Sequence, residues 1–240
     1  MGKADEERNS RMSAQGGRSA NTDNETGRIE TFSDGVFAIA ITLLVLEIRV
    51  PHVEEGTSLL GELIKLWPSY IGYAISFIVI GIMWANHHNR FSYIVRSDHI
   101  LLFLNTLLLM CVAFIPFPTA LLAEYVSSEQ QQTAVAVYAG TLAVSAVFFT
   151  LLWLYAASGY RLVDRDLDPA TLRAMMRRYI AGMLLYIAAF ALAFFNIVLS
   201  LALIVGLALV FILPEPGSQP GKSKASTEDD RSSTEKPGGT

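Results

Sequence analysis

Residues 28–47 read RIETFSDGVFAIAITLLVLE, and this stretch decides how the rest of the chain is read. From Val36 to Leu46 the only polar residue is Thr42, whereas the head of the segment carries Arg28, Ser33 and Asp34. The pattern is that of a membrane helix entered by polar groups. At 1.5 Å and 100° per residue, Arg28 and Asp34 lie about 9 Å apart along the axis and about 240° apart around it, so they do not face each other. A carboxylate at that depth costs about 2.5 kcal/mol or more when unpaired and dry, so Asp34 is expected to reach a partner on another helix. The blander reading leaves it at the membrane edge in water. Gly35, Ile39, Thr42 and Leu46 recur at helical spacing as one narrow stripe, with Leu43 beside Ile39 and Leu46. Taken alone, such a stripe is a packing seam or a lipid face.

The remaining chain supports the membrane reading. Its 240 residues are 52% hydrophobic and 17% charged, and the mean hydropathy of +0.40 is too high for an ordinary soluble domain. The net charge of −4 leaves no basic face for nucleic acid. Cys111 is the single cysteine, which excludes a disulfide framework and a Cys-based zinc site. Apolar segments at 28–50, 68–89, 99–122, 133–155, 171–195 and 197–213 predict an all-α integral membrane protein with six transmembrane helices, the last of them short. The run 179–213 is too long for one upright span, so a tight hairpin is expected at Phe195-Asn196.

Local signals set several boundaries. Asp168-Pro169 reads as an N-cap and first-turn pair, and Ser127 or Ser128 as a cap for the fourth span. Pro116 and Pro118 are expected to break the third span, with 119–125 continuing beyond. Leu60, Leu63, Ile64 and Trp67 predict a short amphipathic piece on the outer interface. The polar ends, 1–27 and 214–240, are expected to be disordered cytoplasmic segments flanking a domain at 28–213. With the N-terminus inside, Arg49 and Lys65 are the only basic residues left outside, so both termini are expected in the cytoplasm of a multi-pass protein of the cell membrane. The arginines from Arg161 to Arg178 then face the anionic inner-leaflet lipid.

The inner end of the second span offers Trp84, Asn86, His87 and His88, and the third offers Asn105. Together with Arg28, Ser33 and Asp34 they predict a polar clasp that holds the first helix from the side. Adjacent histidines on a helix point about 100° apart, so no metal or other cofactor is expected. No nucleophile or phosphate loop accompanies the histidines, Asp98 or His99, which argues against an enzyme. A proton-coupled transporter or proton carrier using Asp34 with His87 or His88 is the competing reading. Neither an inverted repeat nor a pair of Gly/Pro-broken helices supports it.

The motif Arg28-x-x-x-Phe32-Ser33-Asp34, the set Trp84-x-x-His87-His88-x-x-Phe91, and Asn105 with Pro116-Phe117 resemble the transmembrane protein 175 family of potassium channels over about residues 28–213. The single six-helix unit is similar to the prokaryotic members. The resemblance implies a homotetramer that conducts potassium through a pore lined by the first helix. It places Ile39 at the main constriction, Leu43 and Leu46 in the following apolar layers, and Thr42 at the position governing potassium preference. It also implies that Arg28, Phe32, Ser33, Asp34, Trp84, His87, His88 and Asn105 support the pore helix. Ala38, where other members can carry a hydroxyl, implies a moderate preference over sodium. Rings of Ile39, Leu43 and Leu46 would block ions by dewetting, and Thr42 hydroxyls would replace part of the hydration shell of the permeant potassium. Glu47 either gathers cations at the outer end or is neutralised by Arg49.

Overall fold

A computed structural model of the chain describes residues 25–213 except Glu54. The terminal segments expected to be disordered lie outside the described residues, apart from 25–27, which already belong to the first helix. That helix, α1 (Glu25–Glu47), ends in a 3-10 turn at Leu44–Glu47, after which Ile48 is extended. It therefore stops three residues short of the expected end at Val50. Then follow α2 (Leu59–Lys65), α3 (Trp67–Phe91), α4 (His99–Phe114), α5 (Pro116–Tyr125), α6 (Gln131–Ala157), α7 (Pro169–Leu192) and α8 (Ile197–Ile212). Trp67, expected in the amphipathic piece, instead opens α3.

Four spans besides α1 are long and apolar enough to cross a bilayer, counting α4 and α5 as one, and α8 is shorter. The break between α4 and α5 falls at Ile115, just before the residue whose ring displaces a backbone hydrogen bond, Pro116. Three starts are fixed by side-chain oxygens. Asp98 accepts from the Leu101 N–H and Asp168 from the Thr171 N–H, with Pro169 in the first turn. Asn196 Oδ1 accepts from the Leu199 N–H at 3.0 Å and turns 179–213 into a hairpin. Ser200 Oγ, donating to Ala189 O at 2.7 Å, closes it. The expected serine cap of α6 is not made. Gln130 occupies the cap position without a side-chain bond, and Ser128 instead donates to Tyr125 O and accepts from Gln130 N within the preceding turn.

Helix α6 runs through the centre of the bundle against α4, α5, α7 and α8. Its buried alanines allow close approach, and Leu142, Leu152 and Trp153 fill the core around it. Ser76, Thr119 and Tyr138 form a buried knot joining α3, α5 and α6, with Ser76 Oγ 2.8 Å from Thr119 Oγ1 and 3.1 Å from Tyr138 Oη. At one end the α3–α4 and α6–α7 loops are zipped by a single antiparallel bridge, Ile94 to Val163. Val95 and Arg96 both donate backbone N–H groups to Leu162 O.

The carboxylate of Asp98 ties this end together. It accepts from Tyr155 Oη and lies 3.6 Å from Arg161 Nε. Partial burial pushes its pKa up, but the bonds from Tyr155 and Leu101 and the Arg161 charge outweigh that and hold it below the usual carboxylate value. A depressed folded-state pKa contributes stability above the unfolded value, about 3.9, and that contribution is lost as pH falls through the folded value. Asp98→Asn retains an N-cap oxygen but removes the charge. Unfolding in detergent from about pH 5 to pH 2.5 is expected to show a shallower acid loss in this variant. Equal slopes would rule Asp98 out as the titrating group.

Candidate functional site

Helix α1 has two unlike faces. Ser33, Phe37, Ala40 and Leu44 are buried, at the 4-3-4 spacing that places them within about 60° of one another. They face α3 and α4. Opposite them, within a second arc of about 60°, stand Gly35, Ile39, Thr42 and Leu46, all exposed. Ile39 is 60% and Leu46 71% exposed, with Leu43 beside them at 39%. Thr42 Oγ1 is bonded to its own helix, at 2.9 Å from Ile39 O and 3.0 Å from Ala38 O. A Cβ at Gly35 would meet nothing within 4 Å, so this face is open along its length.

The buried face is held by a directed chain of hydrogen bonds. His87 Nε2 lies 2.9 Å from Asn105 Oδ1, Asn105 Nδ2 donates to Ser33 Oγ at 2.9 Å, and Ser33 Oγ donates to Ile29 O at 2.8 Å. This polarity puts the imidazole proton on Nε2. All three side chains are buried, and the His87 ring is stacked on Phe91 at 4.3 Å and tilted against Phe37 at 5.4 Å.

A second, more exposed ladder runs beside it. Trp84 Nε1 donates to Asp34 Oδ1 at 2.8 Å, and His88 Nδ1 lies 2.7 Å from Glu30 Oε1. Each helix supplies an i, i+4 pair, and the Trp84 and His88 rings stack with centroids 6.0 Å apart. The two adjacent histidines thus serve different partners. No group of three or more metal-ligating side chains occurs among the described residues.

Of the expected clasp, Ser33, Asp34, Trp84, His87, His88 and Asn105 are brought together by these bonds. Arg28 and Phe32 are not. Both are exposed, Phe32 at 63%, and both point to the open side of α1 because six and two residues of helix rotation separate them from Asp34. Arg28 joins no hydrogen bond or ion pair among the described residues. Asn86 turns the other way, its amide donating to Ile82 O and Phe211 O. Glu47 and Arg49 form no ion pair among the described residues.

Two members were missed. Glu30 had a local signal, since it precedes Asp34 by one turn just as Trp84 precedes His88. Arg90 had none: it is 1% exposed, with its guanidinium carbon 3.2 Å from the Tyr179 ring centre and 4.1 Å from that of Phe149. Those rings come from α7 and α6 and reach α3 only through the tertiary fold.

An all-helical bundle with bilayer-length spans, whose first helix is clasped on one face and open on the other, defines a polytopic membrane protein. The sequence pattern of the family described as endosomal/lysosomal potassium channel TMEM175 matches residues 28–116. A potassium channel of Chamaesiphon minutus is 49% identical over 79% of this chain and 95% of its own length. One from Streptomyces collinus is 47% identical over 75% of this chain and 87% of its own. The crystal structure of a lysosomal potassium-selective channel TMEM175 homologue from Chamaesiphon minutus superposes with a TM-score of 0.72 at 47% identity, covering 79% of this chain and 97% of that one. The chain belongs to the TMEM175 family of potassium channels.

Proposed function

We propose that four copies of this chain assemble around α1 as a potassium-permeable channel of the cell membrane, with residues 28–213 as the channel domain and both termini in the cytoplasm. The observation that carries the reading is the open stripe of Gly35, Ile39, Thr42 and Leu46 on a helix whose opposite face is clasped to α3 and α4. A helix fixed by its back presents that stripe to an axis shared with its copies. Rings of Ile39, Leu43 and Leu46 then form the constriction, which blocks ions by dewetting until it widens. Thr42 hydroxyls, or waters oriented by them, favour the cation that dehydrates more cheaply, potassium over sodium. The names of the relatives, potassium channels in both bacteria, support the same ion. Asp34 and the histidines are bonded to Trp84, Asn105 and Glu30 and not to one another, which supports a clasp in preference to a proton relay.

The test is the reversal potential of the purified protein in a planar bilayer with potassium on one side and sodium on the other. A steady current reversing toward the potassium equilibrium potential is expected. Saturable, pH-coupled uptake in liposomes without current would overturn the reading in favour of a carrier. In the same bilayer, Thr42→Ala is expected to cut the potassium to sodium preference about threefold, moving the reversal potential by roughly 30 mV on the scale of about 59 mV per tenfold. An unchanged reversal potential would remove Thr42 from selection.

A further inference from the structure

The basic residues at the end carrying the α3–α4 and α6–α7 loops divide by what they touch. Arg161 lies 3.6 Å from the Asp98 carboxylate, and Arg96 donates to Tyr160 O at 3.0 Å. Arg178 donates to Val210 O and Leu213 O at 3.2 and 2.9 Å, capping the end of α8. Arg165 sits between Asp164 and Asp166. Arg165 is exposed as well, but Arg173 and Arg177 differ from it in standing together on a helix with no carboxylate beside them in the chain. They are exposed, one helical turn apart on α7, and make no hydrogen bond or ion pair among the described residues. Asp168 Oδ2 accepts from the Thr171 N–H and hydroxyl, and Arg173 acts on that carboxylate by its charge without forming an ion pair.

Their depth can be read from Arg178. Its hold on the last carbonyls of the apolar α8 marks the level at which that helix leaves the hydrocarbon, and Arg177 is its neighbour in the chain. Toward the membrane centre the same face of α7 continues as Ala181, Leu184 and Ile187, all exposed and within about 80° of Arg177 around the axis. Two guanidiniums at the interface therefore stand at the head of an apolar track. This is the complement of an anionic phospholipid, with a phosphate at one end and an acyl chain at the other. We infer that Arg173 and Arg177 form a binding site for the phosphate of an anionic phospholipid, whose acyl chain lies along Ala181, Leu184 and Ile187. A zwitterionic lipid is a poorer fit, because its own ammonium offsets the phosphate.

The full chain in detergent is titrated with phosphatidylglycerol or phosphatidylcholine, and bound lipid is counted by native mass spectrometry. Phosphatidylglycerol is expected to bind more tightly. The double variant R173Q/R177Q is expected to weaken it about thirty-fold, the effect of two interfacial cations, and to leave phosphatidylcholine unchanged. R165Q is expected to bind like the wild type. Equal binding of the two lipids by the wild type, or undiminished phosphatidylglycerol binding by the double variant, would overturn the site. Displacement of the lipid by millimolar inorganic phosphate would assign the pair to a free anion and overturn the lipid assignment. Should the double variant fail to fold, the wild type alone decides. Its affinity for phosphatidylglycerol is expected to fall as salt is raised from about 0.05 to 0.5 M, and an affinity indifferent to salt would sink the proposal.

Discussion

Replacing Asn105 with leucine is expected to be among the most destabilising single changes in the chain. The two side chains are close in size, so packing is nearly preserved and the loss is confined to hydrogen bonding. Asn105 is the middle member of the chain from His87 to Ser33, accepting from one and donating to the other, and it is 2% exposed. Its removal leaves the His87 Nε2–H without an acceptor and Ser33 Oγ without its donor, both buried. Each stranded buried group costs about 1–3 kcal/mol, so about 2–6 kcal/mol is expected in total. Ser33 retains its bond to Ile29 O, which places the expectation in the lower half of that range.

The measurement is thermal unfolding in detergent, followed by tryptophan fluorescence, together with current in a planar bilayer. A fall of several degrees in the melting temperature is expected, with loss or irregularity of the current because α1 is no longer held against α4. Asp34→Ala provides the comparison. Its carboxylate and Trp84 are only partly buried, so water can replace the lost partner and the melting temperature is expected to fall less. If Asn105→Leu melts like the wild type, the buried chain is not what holds α1.

The reach of the sequence follows from which signals are local. Span positions, the Pro116 break, the Asp168-Pro169 start and the hairpin at Asn196 were legible because hydropathy, proline and capping chemistry act within a few residues. The two-faced character of α1 was also legible, since 100° per residue separates Ile39 and Thr42 from Ser33 and Phe37 without any tertiary knowledge. The same arithmetic already turned Arg28 away from Asp34, and grouping Arg28 and Phe32 with the clasp set it aside. The serine cap of α6 failed because several polar residues precede that helix and nothing local ranks them. What no local signal reveals is pairing across distant segments. Ser76 with Tyr138 and Arg90 with Tyr179 each join residues far apart in the chain, and each depends on how α3, α6 and α7 pack.

Replacing Ile39 with asparagine is expected to raise the potassium current, about tenfold for each 1.4 kcal/mol taken from the barrier at the constriction. The substitution preserves approximate size and replaces a surface that sheds water with one that binds it, so four amides at one level keep a narrow passage wet. Stability of the single subunit is expected to change little, because Ile39 is 60% exposed and touches no part of the clasp. Val45→Asn is the matched control. Val45 is 50% exposed on the same helix but lies about 120° from Ile39 around the axis, off the Gly35–Leu46 stripe. An increase from Ile39→Asn with no change from Val45→Asn would locate the barrier on the stripe and at that level. Equal increases would show that polarity anywhere on α1 loosens the bundle, and an unchanged current from both would remove α1 from the gate. The contrast separates a pore face from a lipid face, which exposure alone in one chain does not do.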